Sequence, residues 1–214
     1  MCKTRELLVM LNLVQAGSAL YLVRDQEDPQ ARINWTPSPP ETFDVSDTNL
    51  IIRSSDLIDF RVHKSILATT SSFFEDLLSL PQPSDSEIVD GLPVVQLPES
   101  SELLNSLISI LYPVRTVLPN SYEKVLHLLA ACQKYEMVSV QSFIRAEVNR
   151  GTCPVPKGAE AFSVYAIASA KELIPEMENS ARLTLDHPMT FELLGERLRL
   201  FEGSALQNLA SFRK

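Results

Sequence analysis

The stretch FRVHKSILATTSSFFEDLL, residues 60–78, sets His63 and Lys64 beside a run of hydroxyls that includes Ser65, Ser71 and Ser72. A histidine near a serine is the raw material of nucleophilic catalysis, in which the imidazole takes the hydroxyl proton and a carboxylate orients the ring. That chemistry needs the groups to converge in a cleft. Ser65 lies two residues from His63 on a short helical pattern, where its hydroxyl points to a different side. The other two histidines are isolated: His127 falls beside an apolar stripe, and His187 precedes Pro188 in a turn. Cys2, Cys132 and Cys153 have the spacing of neither a disulfide framework nor a zinc site, and a reducing compartment is the simplest context for them. The sequence has no Gly-rich phosphate loop, no G-x-S-x-G and no paired-cysteine motif, and its six glycines leave little material for a cofactor cradle. No catalytic, cofactor-binding or metal-binding residue is therefore assigned, and a small enzyme is kept only as the alternative of another class.

The 214 residues suffice for one domain and a smaller helical addition, and 45% hydrophobic content suits a soluble protein with a real core. A net charge of −8 repels phosphate backbones and anionic lipid, so neither direct nucleic-acid contact nor membrane binding is expected. Aromatic residues sit within apolar stripes, not between basic residues as an RNA platform would place them.

Residues 1–42 read as a leader and a Pro-rich linker. The apolar run LLVMLNLVQAGSALYLV (7–23) follows Lys3 and Arg5, and Asn34-Trp35-Thr36 is a glycosylation sequon, which together define a secreted alternative. Asn12, Gln15 and Gly17 dilute the run and Glu6 interrupts the basic start, so a short packing helix or a poorly ordered leader is the favoured reading. Pro37, Pro39 and Pro40 favour extended chain, and folded structure is predicted to begin near Phe43 to Asp47.

The next hundred residues must position everything that follows. Leu50, Ile51 and Ile52 predict a strand and Ser54-Ser55-Asp56 a turn. Ile58, Phe60 and Val62 alternate with Asp59 and Arg61, a second strand that buries the first three and exposes the charges. The short connection makes the pair an antiparallel hairpin. The period then changes to helical. Ile66 and Leu67 belong to one short helix, and a second carries Phe73, Phe74, Leu77 and Leu78, with Ser72 and Glu75 as its capping box. An acidic loop leads to a strand at Val94, Val95 and Leu97. Three helices follow, through Leu103–Leu111, Val125–Cys132 and Val140–Val148, the second capped by Asn120 and Glu123 and the third closed by Gly151. Strands and helices are segregated, so the fold class is α+β: a small sheet with clustered helices and a helical C-terminal extension.

These residues resemble a BTB/POZ domain, over about residues 44–150. The matching pieces are Asp47, the hairpin, the signature Phe60-x-Val62-His63-Lys64-x-x-Leu67, then Ser71-Ser72-x-Phe74, and Leu128-Leu129-x-Ala131. The resemblance implies that Phe60, Val62, His63, Leu67, Ser72 and Phe74 are structural, with His63 largely buried where strand hands over to helix. It implies a pocket at a dimer interface lined by Asp47 and Lys64, whose plainer roles are a strand-entry cap and a solvated helix residue. It implies a protein–protein interaction module that pairs with itself or with another BTB protein, working in the cytoplasm or nucleus. Proteins of this composition with a helical tail are abundant in fungi. A cullin-type ubiquitin ligase scaffold is the alternative partner, reached through a hydrophobic-x-Glu motif. Here only Ser121-Tyr122-Glu123 comes near that motif, with serine in the hydrophobic place.

Residues 43–151 form the BTB-like unit and 152–214 the extension. In the extension Ala161, Phe162, Tyr165, Ala166 and Ala170 trace one helical face, and Pro175 with Glu176 starts another helix that carries Met177, Ala181 and Leu185. Pro188 and Thr190 open a third, with Phe191, Leu194 and Leu198 turned inward, and Gly203-Ser204 a fourth. Such short helices cannot hold a large core alone, and they are expected to pack on the preceding domain as the start of a BACK-type extension.

Overall fold

The computed structural model describes residues 34–35, 48–80, 87–112 and 118–213. The apolar leader, most of the Pro-rich segment and Asp47 lie outside these residues. The hairpin forms as its alternation requires: β2 (Leu50–Arg53) pairs antiparallel with β3 (Asp59–Val62), with Leu50 opposite Val62 and Arg53 opposite Asp59. β5 (Leu92–Gln96) runs parallel to β2 and antiparallel to the two-residue β4 (Ile88–Val89), which rises from the acidic loop. A further two-residue strand, β1 (Asn34–Trp35), lies parallel to β3 inside the segment read as linker, so regular structure starts before Phe43. The sheet order is β1-β3-β2-β5-β4, and with its flanking helices the fold is α+β.

One face of the hairpin carries Leu50, Ile52, Phe60 and Val62 into the main core. The other face carries Ile51, Arg53, Asp59 and Arg61. The expectation that Asp59 is exposed fails: it is 0% exposed, as is Ile51 beside it. A buried carboxylate needs a partner, and the residue directly across the ladder supplies it. Arg53 Nε donates to Asp59 Oδ1 at 2.6 Å and Nη2 to Oδ2 at 2.9 Å. Period-two reasoning places charges on the solvent side only when one face of a sheet is wet, and here both faces are buried.

The first six helices are α1 (Lys64–Thr70), α2 (Ser72–Ser79), α3 (Ser101–Leu111), α4 (Tyr122–Lys134), α5 (Val138–Asn149) and α6 (Ala159–Ala170). Two of the caps differ from expectation. The cap of α2 is Ser71, whose Oγ accepts the Phe74 N–H at 3.0 Å, while Ser72 is the first helical residue. Ser71 stands in extended geometry at the break between α1 and α2, which is where an N-cap belongs. For α4, Ser121 takes the N-cap position without a side-chain bond, and Asn120 lies one residue outside.

Two helical pairs close in the same way. After α4, Glu136 has φ +52° and the Met137 N–H reaches back to the Cys132 carbonyl at 2.8 Å. After α6, Glu172 has φ +54° and the Leu173 N–H reaches the Ala168 carbonyl at 2.9 Å. Each is a left-handed helix stop that buries the apolar residue following it, and Met137 and Leu173 are both core residues.

α7 (Ile174–Leu183), the one-turn α8 (Phe191–Leu194) and α9 (Ala205–Phe212) complete the chain. They enclose a small second core of Phe162, Tyr165, Ala181, Leu194, Ala205 and Leu209. The other side of α6 belongs to the main core through Val164, Ile167 and Ala168. A helix buried all round must touch two layers, and α6 does. Phe191, read as inward, is instead 83% exposed, because it is the first residue of a single-turn helix. Leu185 lies past the end of α7 and is also exposed.

Candidate interaction domain

The junction between β3 and α1 is where the signature residues gather. Phe60 and Val62 leave β3 into the core, and Leu67 follows from α1. His63 stands between them as the N-cap of α1, in extended geometry and without a side-chain cap of its own. The cap comes instead from Asn49, whose Oδ1 accepts the Lys64 N–H at 2.8 Å across the hairpin. The sequence carries no local signal for this bond, because the two residues are fifteen apart and meet only once β2 and β3 pair.

His63 is half-buried, less than the resemblance implies. The Tyr112 hydroxyl at the end of α3 stands 3.0 Å from its Nδ1 and also accepts the His63 backbone N–H at 3.0 Å. A hydroxyl that accepts one bond still has its own proton to share with Nδ1. Burial raises the Tyr112 pKa, which keeps that proton in place, while the bond from the His63 amide acts in the opposite direction. His63 thus fastens the strand–helix junction to α3. Ser65 is exposed on α1.

The second tie joins α2 to the end of α4. Ser71 Oγ, besides capping α2, donates to the Tyr135 carbonyl at 2.5 Å. Phe74 stacks on the Tyr135 ring at 5.3 Å and 29°, and Phe73 meets Phe74 edge-on. Phe74 is 1% exposed and Phe73 half-exposed, so the aromatic pair spans core and surface. Ser72 stays outside, where its hydroxyl donates to Glu136 at 2.5 Å. The Tyr135 hydroxyl is bonded to Glu99, and burial first, then that carboxylate, raises its pKa.

The polar anchors are as specific. Asp59 raises the Arg53 pKa above its already high value, with burial acting against it, and Arg53 Nη1 reaches Glu87 at 2.6 Å. Asp56 accepts from both the backbone and the hydroxyl of Ser101 at 2.7 and 2.5 Å, which pins the hairpin turn to the start of α3. Of the proposed dimer-pocket residues, Lys64 is half-buried on α1 and Asp47 is outside the described residues. Among the described residues no three His, Cys, Asp or Glu side chains are grouped to hold a metal, and no helix is long and apolar enough to cross a membrane.

A small mixed sheet, a strand–helix junction built on Phe-x-Val-His and a surrounding cluster of helices make up residues 48–151. The chain belongs to the BTB/POZ domain family: the family's model matches residues 41–150. Among solved structures it is similar to the BTB domain of zebrafish PATZ1, at 18% identity and a TM-score of 0.37, over 48% of this chain and 76% of that one. No curated protein matches. The BTB/POZ domain is a protein–protein interaction domain, and residues 41–150 carry it here.

Proposed function

We propose that the chain self-associates, or pairs with another BTB protein, through the BTB/POZ face, with Asp47 and Lys64 lining a pocket at the interface. The observation that carries this reading is the family match over 41–150, which contains the hairpin, α1 and the junction at His63. The helical extension of residues 152–214 acts as a BACK-like support for that domain in a fungal-type protein of the cytoplasm or nucleus. The cullin-adaptor reading stands behind it. Tyr122, the middle of the near-motif, is half-buried against the main core as the first residue of α4, which leaves Glu123 as the exposed member.

Charge reversal tests the pocket. Asp47→Lys and Lys64→Asp each leave one charge of the proposed pair unmatched, and the double variant restores opposite signs. Dimer affinity measured by light scattering is expected to fall in each single variant and to recover in the double. Equal affinities in all four proteins contradict a role for the pair.

A further inference from the structure

β1 sets where the chain enters the described fold. It runs parallel to β3 with Asn34 opposite Asp59, so the residues that precede Asn34 arrive at the end of β3 that carries Leu57 and Ile58. Leu57 is 61% exposed and left-handed at φ +63°, an apolar residue held out on the hairpin turn. The same turn is tied to the segment that follows β5. The Ser55 N–H donates to the Glu99 carbonyl at 2.8 Å, and Asp56 accepts the Ser101 N–H at 2.7 Å.

A groove begins at that segment. Two adjoining cavities of about 210 and 490 Å³ share Leu103 and His127, and extend from Pro98, Glu99 and Ser100 along α4. The charges on its walls are matched within the chain: Lys124 pairs with Glu102 at 2.5 Å and Lys134 with Glu99 at 2.7 Å. The surface left to cover is the apolar floor of Leu103, Ala130 and Ala131.

The same chain carries an apolar segment within reach. Residues 7–23, LLVMLNLVQAGSALYLV, lie outside the described residues and are joined to β1 through residues 24–33. Leu7, Met10, Leu11 and Val14 have the spacing of one helical face. From β1 to the segment after β5 is three strand spacings, through β3 and β2, or about 14 Å. The ten residues 24–33 reach up to about 33 Å when extended. An apolar run of this kind gains by leaving water, and the tether keeps it beside the groove at a high effective concentration. A segment of similar chemistry on another molecule has no such advantage.

We propose that residues 7–23 dock in cis into the groove between α3 and α4, with Leu7, Met10, Leu11 and Val14 over Leu103, Ala130 and Ala131. The docking does not depend on whether the chain dimerises.

Hydrogen exchange of the full chain, read by mass spectrometry on peptides from residues 7–23, tests it. Leu11→Glu spoils the docked face from the leader side. His127→Glu does so from the groove side, at an exposed residue that lines both cavities. Exchange in the parent is expected to be about tenfold slower than in either variant, since the docked state must open before its amides exchange. Ser139→Glu, which makes the same change in charge at an exposed position lining neither cavity, should exchange like the parent. Unchanged exchange of the β2 peptide in all four proteins shows that the domain is intact. Equal rates in the parent and the two groove-face variants would overturn the proposal. So would protection that grows with protein concentration, because the leader would then sit on a second copy.

Discussion

Asp59 and Cys132 show how single buried groups set the behaviour of the chain. Asp59 is wholly enclosed and held by both arms of Arg53, itself only 4% exposed. Asp59→Ala leaves the buried Arg53 guanidinium with Glu87 on Nη1 and no partner for Nε and Nη2, and is expected to cost about 3 kcal/mol, whereas an apolar replacement of both partners, Arg53→Met with Asp59→Leu, should recover most of that loss. Urea unfolding of the three proteins decides it, and a mild effect of Asp59→Ala alone would mean that the pair is wet. Cys132 lies in the main core, and burial pushes its thiol up to about 12, with the Arg145 guanidinium acting weakly in the other direction. The unfolded chain ionises this thiol near its ordinary value while the folded chain keeps it protonated. The unfolded state therefore binds fewer protons above that value, and stability falls as pH rises from about 9 towards 12. Each thiol or phenol of this kind adds up to about 1.4 kcal/mol per pH unit to the slope. Cys132→Val should flatten the slope by about one proton's worth, read by denaturant melts across that range, and an unchanged slope would place the loss on the buried tyrosines instead.

At the scale of elements, the order β2, β3, α1, α2, β5, α3, α4 and α5 was legible because each rests on local pattern, while the two-residue strands β1 and β4 carry too little pattern to be read. The hairpin follows from period two, and α3 to α6 from apolar stripes of period 3.6. What was not legible depends on partners distant in sequence. Ser71 and Ser72 are adjacent hydroxyls, and the Ser-x-x-Glu spacing points to Ser72. Ser71 wins because its hydroxyl also reaches the Tyr135 carbonyl, 64 residues away. The Asn49 cap on α1 and the burial of Asp59 have the same origin, since both exist only after β2 and β3 are paired. Ser71→Ala should then cost about 1–2 kcal/mol, through the lost cap and a buried carbonyl left unpaired, while Ser72→Ala should fall within about 0.5 kcal/mol of the parent. The reverse order in thermal melts would restore the local reading.

For the whole molecule, the helices that follow residue 151 are built into the first core. Val164, Ile167, Ala168 and Leu173 pack with residues of α4 and α5, and Arg145 on α5 forms a two-bond pair with the buried Glu176 of α7 at 2.7 and 3.1 Å. A sequence boundary at 151/152 cuts through this contact. The proposed self-association rests on the family match over residues 41–150. Sedimentation equilibrium of the full chain at micromolar concentration measures it most directly, alongside a chain that begins at Thr42. A reversible dimer in both proteins is the predicted result, and a dimer lost on truncation would assign the contact to residues 1–41, which include β1. A full chain that remains strictly monomeric across the whole concentration range contradicts the claim.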